Sequence, residues 1–405
     1  MKACLASSAI QPVLLQQVQP FNETQPIDVL LVDGAIAAKG AQLAVPDHAM
    51  KLDARGYQLF PGLVDGHAHL DKSLLGRDWY VNDVPRNLSD IIANERRYRR
   101  EQRPDAQLQS ERVTRRCIAS GTSFIRTHVD IDNEIGLANL EGVLETRRRL
   151  AGKVDIEVVA FPQSGILQNP GTAELLDQAL YLGADLIGGL DPCSFDRDPV
   201  THLTIIFDLA VKHGKKLDIH LHERGELGAF SLELLLSFTR RYQMQDRVTL
   251  SHGFCLGMVD AERQQQFAEQ MAELGISMAT TAPSDVEVPP WALLDRYGVA
   301  LCAGNDGIRD TWNPYSSGDM VQRALMLGQR YRWRKDQEIA LAAKTITYGG
   351  AEVMAVEHYG LSVGDRADVV LIPGRNMVEA LVEMPRDRKV FKAGQLIAEN
   401  GECLF

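Results

Sequence analysis

Several features that identify common classes of protein are missing from this chain of 405 residues. Its six cysteines, which include Cys4, are far apart and form no CxxC pair, so we expect reduced thiols rather than disulfides or a zinc ribbon. There is no run of about 18 apolar residues, so we expect no membrane-spanning helix. Gln and Pro interrupt the apolar stretch near the N-terminus, so we expect no signal peptide and a cytoplasmic location.

Long basic stretches are missing as well. The formal net charge of −11 and the pI near 5.4 would repel a phosphate backbone. The short arginine clusters at 96–100 and 147–149 are typical of solvated helix faces. We therefore expect no nucleic-acid partner. The hydrophobic share of 45% and the charged share of 24% are those of a globular protein, which excludes disordered and fibrous classes.

Both ends of the chain read as short strands joined by tight turns. Near the N-terminus, IDVLLVDGAIAAKG alternates apolar runs with Asp-Gly and Lys-Gly turns. Near the C-terminus, GDRADVVLIPG and DRKVFKAGQLIAENGE show the same pattern. We predict that residues 1–57 and 361–405 together form one small β-sheet domain.

Between these ends, β-rich runs alternate with amphipathic helical stretches, which is typical of a parallel α/β fold. A chain of 405 residues is long enough for one (β/α)₈ barrel of about 250–300 residues plus a small domain. Eight strand candidates favour a TIM barrel over 58–360 rather than an open sheet. They are PGLVDGHAH, TSFIRTHVDID, VDIEVVAFPQSG, GADLIGGLDP, KLDIHLHE, RVTLSHGF, ISMATTAP and VALCAGNDG.

Nearly every strand candidate ends in a polar, reactive residue. The active sites of TIM barrels are assembled at the C-terminal ends of the strands, so these side chains are expected to meet at one mouth. In chain order they are His67 and His69, His128, Gln163, Asp191, His220 and Glu223, His252, and Asp306.

A metal site is predicted within this set. His67 and His69 form an HxH pair, whose side chains point to the same face of a strand. His220 is the candidate third nitrogen ligand and Asp306 the candidate carboxylate, although His220 alone would also suit a core histidine. Three histidines and one aspartate suit one divalent ion such as zinc or ferrous iron, with a position left for water.

Two further residues are candidates for proton transfer. Glu223 lies three residues after His220, where it would move a proton from the water to the leaving amine, although a helix N-cap is the alternative role. His252 would polarise or orient the water, or support a ligand from behind. For His222 and His128, structural or supporting roles are favoured over ligation.

The motifs around these residues resemble the amidohydrolase superfamily, specifically its cytosine deaminase-like branch. The matching segments span roughly residues 55–375 and are PGLVDGHAHLDKS, RTHVDID, VVAFPQSG, HLHERGE, VTLSHGF and GNDGIRDTWNP. The resemblance implies a TIM barrel, a small β-sandwich made from both chain ends, and a homo-oligomer.

The resemblance also implies residue roles. Its metal ligands are His67, His69, His220 and Asp306, its proton shuttle is Glu223 and its water-orienting histidine is His252. Gln163 matches the glutamine that binds the amide edge of a pyrimidine. By analogy Trp312 and Arg309 line the pocket, although packing within the loop is the alternative role. Relatives that open cyclic amides carry a carboxylated lysine at a mid-barrel strand end. Because neither Lys72 nor Lys153 ends a strand, one metal ion is expected.

The expected reaction is hydrolytic deamination of a cytosine-like ring or a related nitrogen heterocycle, with release of ammonia. Cytosine deaminases carry a second Asp directly after the metal-binding Asp, and Gly307 stands there in this chain. The segments LDKS, GIRDTWNP and GDMVQ are more similar to triazine aminohydrolases of the N-isopropylammelide type, which release an alkylamine. That reaction and the hydrolysis of a cyclic amide remain as alternatives, as does a metabolite-binding or scaffold protein without catalysis.

Overall fold

The structure is a computed structural model that describes residues 11–85 and 87–405. Cys4 lies outside these ranges, and the other five cysteines are free thiols. The strands are β1 (Val13–Pro20), β2 (Ile27–Val32), β3 (Ala35–Gly40), β4 (Met50–Asp53), β5 (Tyr57–Pro61), β6 (Leu63–His69), β7 (Thr122–Asp130), β8 (Asp155–Phe161), β9 (Leu186–Leu190), β10 (Lys216–Leu221), β11 (Val248–His252), β12 (Ser277–Thr280), β13 (Leu301–Ala303), β14 (Asp306–Gly307), β15 (Val369–Pro373), β16 (Lys389–Lys392), β17 (Gln395–Glu399) and β18 (Glu402–Cys403).

A parallel sheet holds the middle of the chain together. Its order is β13-β12-β11-β10-β9-β8-β7-β6-β14, and every one of the eight predicted strand segments contains one of its strands. The eighth segment is split, because β13 pairs with β12 while β14 pairs with β6. The first and last strands of the sheet are thereby brought together, as in a TIM-like barrel. Strands β6 and β7 are buried along their whole length, as expected where helices cover a parallel sheet.

Helices separate most of these strands along the chain. They are α1 (Leu88–Gln102), α2 (Ala106–Ala119), α3 (Ala138–Arg149), α4 (Thr172–Leu182), α5 (Pro199–His213), α6 (Gly225–Arg241), α7 (Ala261–Glu273), α8 (Trp291–Arg296), α9 (Met320–Arg330), α10 (Asp336–Thr345), α11 (Tyr348–Met354) and α12 (Met377–Glu383). Helix α5 begins after Asp198, which accepts a hydrogen bond from the backbone of Thr201, and ends at Gly214 with φ of 66°. Within the described ranges, no helix has the length and apolar content needed to span a membrane.

The second sheet is mixed and takes strands from both ends of the chain, as predicted. Its order is β18-β17-β16-β15-β5-β1-β2-β3, with β4 paired to β1. Strand β1 runs antiparallel to β2 and parallel to β4 and β5. Only Gly62 separates β5 from β6, so the two sheets follow each other directly. The predicted domain boundaries at 57/58 and 360/361 stay a prediction.

Candidate active site

The carboxyl ends of the barrel strands surround a pocket of about 250 Å³. Six of the eight predicted site residues line it, while His67 and Glu223 are not among the described residues that do so. The six are Gln163, His69, His220, His252, Asp306 and Trp312. Apart from Trp312, these residues are polar strand ends, so the expectation that such side chains meet at one mouth is met for five of them.

Four of the side chains bring their donor atoms together. Asp306 Oδ1 lies 3.3 Å from His69 Nε2 and 3.7 Å from His67 Nε2, and His69 Nε2 lies 3.4 Å from His220 Nε2. Two donors bound at about 2.0–2.2 Å to one tetrahedral ion are separated by about 3.3–3.6 Å. Two of these three separations fall within that range and the third is 0.1 Å longer, which supports shared binding of one cation.

Ser251 and Asp218, which the sequence did not predict as site residues, fix the orientation of the His67 ring. Ser251 Oγ lies 2.9 Å from His67 Nδ1 and donates its own proton to Asp218 Oδ1 at 2.6 Å. Because the Ser251 proton is used in that bond, His67 Nδ1 carries the proton of the histidine and donates it to Ser251. His67 Nε2 keeps its lone pair, is buried, and has no hydrogen-bond partner among the described residues. A neutral imidazole nitrogen with a free lone pair is the form of histidine that binds a metal ion.

The electrostatics of the site keep His67 and His220 neutral. Burial lowers the pKa of His67 to about 3, and burial together with neighbouring imidazoles lowers the pKa of His220 well below its usual value. Burial alone would raise the pKa of Asp306, but the neighbouring rings of His69, His252 and His67 outweigh it and hold the pKa well below its usual value. Neutral imidazoles and an ionised carboxylate are the forms that bind a divalent metal.

The carboxylate of Glu223 is engaged by serines rather than exposed to the pocket. Its Oε1 accepts a hydrogen bond from the backbone N–H of Ser194 at 2.6 Å, and its Oε2 accepts one from the Ser231 hydroxyl. Burial raises the pKa of Glu223 despite both bonds, which makes this carboxylate a better proton acceptor than an exposed one.

His222, for which a supporting role was favoured, lines the pocket. Its Nδ1 lies 2.8 Å from Asp191 Oδ2, and its ring centroid is 4.3 Å from that of His252. Burial would lower the pKa of His222, but Asp191 outweighs it and the pKa is raised. The structure thus places a histidine–aspartate pair at the pocket wall. The second ring nitrogen of His222, Nε2, lies on the side of the ring away from Asp191.

His252 and His128 stand on either side of the His67 ring. Their centroids lie 4.9 Å and 4.2 Å from it, and within the described chain none of their four ring nitrogens has a hydrogen-bond partner. Donor atoms of His67, His128 and His220 lie within 4.8 Å of one another, as do those of His67, His252 and Asp306. His128 is therefore also placed where a ligand would stand, beside the predicted set.

A cluster of buried charges borders the pocket on the side of Gln163. Lys72 Nζ lies 2.9 Å from Gln163 Oε1 and 5.6 Å from the centre of the Trp312 ring. The indole N–H of Trp312 donates to Glu95. Sequence reasoning considered Lys72 only as a metal bridge and missed Glu95, because these contacts join residues from separate loops and a helix. Arg309, by contrast, lies over the exposed ring of Trp79, 5.4 Å from its centre.

A third group of close donors consists of His69, Asp71 and Asp130. Asp130 is already paired with two cations, at 2.9 Å from Lys72 Nζ and 2.9 Å from Arg99. This group therefore offers a metal less free carboxylate than the group around Asp306.

Comparisons with known proteins place the chain among hydrolases. The sequence profile of the amidohydrolase family matches residues 52–398. N-isopropylammelide isopropyl amidohydrolase of Pseudomonas sp. (strain ADP) is 31% identical over 360 residues, which are 86% of this chain and 88% of that protein.

Two solved structures extend the comparison. The crystal structure of N-isopropylammelide isopropylaminohydrolase from Burkholderia multivorans ATCC 17616 matches with 42% identity and a TM-score of 0.94, over 98% of this chain and 100% of that one. The fold is also that of 5-methylcytosine deaminase from Klebsiella pneumoniae liganded with 5-fluorocytosine, with 23% identity and a TM-score of 0.83 over 96% and 97% of the chains.

Proposed function

The chain belongs to the amidohydrolase family, and from that premise we propose that it hydrolyses the exocyclic carbon–nitrogen bond of a small nitrogen heterocycle and releases an amine. The observation that carries the proposal is the convergence of donor atoms of His67, His69, His220 and Asp306 beside a pocket of about 250 Å³. A pocket of this volume suits a single small ring. We also propose that residues 58–360 form the barrel and that residues 1–57 and 361–405 together form the β-sandwich.

The proposed ligands of one divalent ion, zinc or ferrous iron, are His67, His69, His220 and Asp306. A divalent cation bound there supplies the acidity that makes water a nucleophile near neutral pH. Ser251 supports this arrangement, because it holds the His67 ring with the Nε2 lone pair towards Asp306. His252 adds a neutral buried ring beside the ligands that orients the attacking water.

Proton transfer is assigned to Glu223. An amine is a poor leaving group until it is protonated, so the reaction needs a group that accepts a proton from water and gives it to the amine nitrogen. The raised pKa of Glu223 supports this role. To reach the pocket, its carboxylate has to exchange the Ser231 hydrogen bond for one to water or substrate.

The leaving amine is ammonia if the pocket takes a cytosine-like ring, which is the function expected from the site motifs. A second candidate is release of an alkylamine from a triazine. It is favoured by the match at 42% identity and TM-score 0.94 to an enzyme whose name is N-isopropylammelide isopropylaminohydrolase. In either case Gln163 and Trp312 contact the ring.

Amine release from a panel of rings tests the proposal. The panel contains cytosine, 5-substituted cytosines, isocytosine, N-alkylated and free ammelides, and creatinine-like rings, with the product identified as ammonia, alkylamine or ring-opened acid. We expect an amine from at least one ring, near-complete loss of it in His67→Ala, and no loss in His48→Ala, which changes an exposed histidine. A ring-opened acid as the product would instead identify a cyclic amide hydrolase, and full activity in His67→Ala would contradict the site.

A further inference from the structure

A second cavity of about 250 Å³ lies where the helices α9, α10 and α12 meet. Each helix contributes an aliphatic side chain to its lining, Leu325 from α9, Ile339 from α10 and Leu381 from α12. The segment between α9 and α10 adds Trp333, whose ring is stacked on that of Tyr331 with the centroids 4.9 Å apart. Among the described residues, none that lines this cavity also lines the candidate active site, so the two cavities are separate.

One position in this lining carries no side chain, although a side chain would fit. Gly328 lies within α9, near its C-terminal end, and lines the cavity. A Cβ at this position would meet no atom within 4 Å outside its own stretch of helix. Glycine destabilises the interior of a helix more than any other residue except proline. The helix therefore gives up stability at Gly328, and the space above it stays open.

The opposite choice of residue is found just after the helix. Arg332 follows Tyr331, the C-cap of α9, and has φ of 56°. Glycine adopts this left-handed conformation without strain, and an arginine does not. Arg332 and Arg334 both line the cavity with exposed side chains. Within the described chain, the guanidinium of Arg332 has no hydrogen-bond or ion-pair partner. A free cation thus borders an apolar cavity, again at a cost in stability.

We infer that this cavity is a second ligand site and that it takes an aromatic carboxylate, whose ring lies over Gly328 and whose carboxylate pairs with Arg332. The fork of a guanidinium matches the two oxygens of a carboxylate. A flat ring suits the aromatic surface of Trp333 better than a flexible chain does. The site explains why α9 keeps a glycine at 328 and why an arginine stands at 332. It does not depend on the proposed function.

Calorimetry on the metal-loaded enzyme tests the charge of the ligand. The probes are 2-naphthoate and 2-naphthamide, which have the same ring and nearly the same shape but differ in charge. We expect one naphthoate to bind per chain, and naphthamide to bind about tenfold more weakly or less, because it cannot form the charged pair with Arg332. Equal affinity for both probes, or no binding of naphthoate at millimolar concentration, would overturn the inference.

Gly328→Leu and Arg332→Gly test the two residues. Gly328→Leu fills the cavity with an apolar side chain, and Arg332→Gly removes the cation together with its strained conformation. Each is expected to weaken naphthoate binding about tenfold or more while raising the midpoint of urea unfolding, whereas a merely structural role would lower both. The control is Arg103→Gly, because Arg103 is an exposed arginine with φ of 40° at the C-cap of α1 and does not line the cavity. It is expected to gain stability and to bind naphthoate like the wild type. Full binding by Gly328→Leu, or an equal loss in Arg103→Gly, would overturn the site.

His67→Ala separates this site from the candidate metal site, since a carboxylate also binds metal ions. We expect His67→Ala to bind naphthoate like the wild type. Binding that is lost in His67→Ala and kept in Gly328→Leu would place naphthoate at the metal and overturn the inference. Sedimentation of the same samples tests another occupant, a second copy of the chain. A lower mass for Gly328→Leu, together with no naphthoate binding by the wild type, would make the cavity an interface between copies and also overturn the inference.

Discussion

Among single residues, the orientation of His67 matters most, because it determines which ring nitrogen is free to bind a metal ion. The chain Asp218–Ser251–His67 assigns the proton to Nδ1 and the lone pair to Nε2. Asp218 is itself held by Arg126 at 3.0 Å. Asp218 and His220 lie two residues apart on β10, so one short strand supplies both a ligand and the support of another ligand.

Ser251→Ala is expected to weaken metal binding without removing a ligand. The alanine leaves His67 Nδ1–H without its acceptor, so the ring is free to rotate and the favoured tautomer is lost. Loss of such a supporting contact costs about 10–100-fold in metal affinity. Competition against a chelator measures the effect, with Ser237→Ala on the exposed face of α6 as the control. Equal affinity in both variants would contradict the role of Ser251.

Because of the buried His128, we expect the free energy of unfolding to decrease as the pH falls. Burial and neighbouring histidines lower its pKa well below 6.5. The unfolded chain takes up a proton at this histidine below about pH 6.5 and the folded chain does not, so stability falls as pH falls, by up to about 1.4 kcal/mol per pH unit. In chelator-treated protein, urea unfolding between pH 7 and 5 is expected to show a smaller fall for His128→Gln than for the wild type. Identical slopes would contradict a buried neutral His128.

At the scale of elements, the sequence predicts the strands well because nearly every one ends in a polar residue of the kind that lines a barrel mouth. The eighth segment was predicted as one strand, VALCAGNDG, but the structure breaks it at Gly304 and Asn305. Asn305 donates two hydrogen bonds to the Asp65 carboxylate, one from its backbone N–H at 3.0 Å and one from its side-chain nitrogen at 2.6 Å. These bonds hold Asn305 out of the strand. Asp306 has φ of 61°, a local conformation that no hydrophobic pattern encodes.

The charged side of the pocket was not predicted, for a related reason. Periodicity identifies faces of strands and helices, but the contacts of Lys72 with Gln163 and of Trp312 with Glu95 span 91 and 217 residues. One local signal was available, since Asp310 precedes Trp312 and Asn313 in an Asp-initiated turn.

Gly304→Ala tests the break in the eighth strand. A Cβ at this position would overlap the backbone of His67, so β14 would have to move away from β6. We expect a loss of about 1–3 kcal/mol or more in the free energy of unfolding, together with weaker metal binding. The control is Gly328→Ala, where the space in α9 is open and alanine is expected to stabilise by about 0.5–1 kcal/mol. Similar stability changes in both variants would contradict this account of the junction.

Across the whole molecule, buried charges join the terminal sheet to the barrel. Arg388, 1% exposed, bonds both carboxylate oxygens of Asp319 at 2.7 and 3.0 Å. Lys392 on β16 contacts Asp155 on β8 at 3.0 Å and Asp368 at 2.9 Å. The terminal sheet is thus anchored to the same barrel whose opposite strand ends form the pocket.

Amine release by the chelator-treated enzyme, titrated with zinc or ferrous iron, tests the central claim most directly. The substrate is the ring that gives most amine in the panel. The proposed ligand set predicts no release before metal is added, a linear rise to one equivalent per chain, and a plateau thereafter. Full activity in the stripped enzyme, or a rise that continues to two equivalents, would contradict a single metal held by His67, His69, His220 and Asp306.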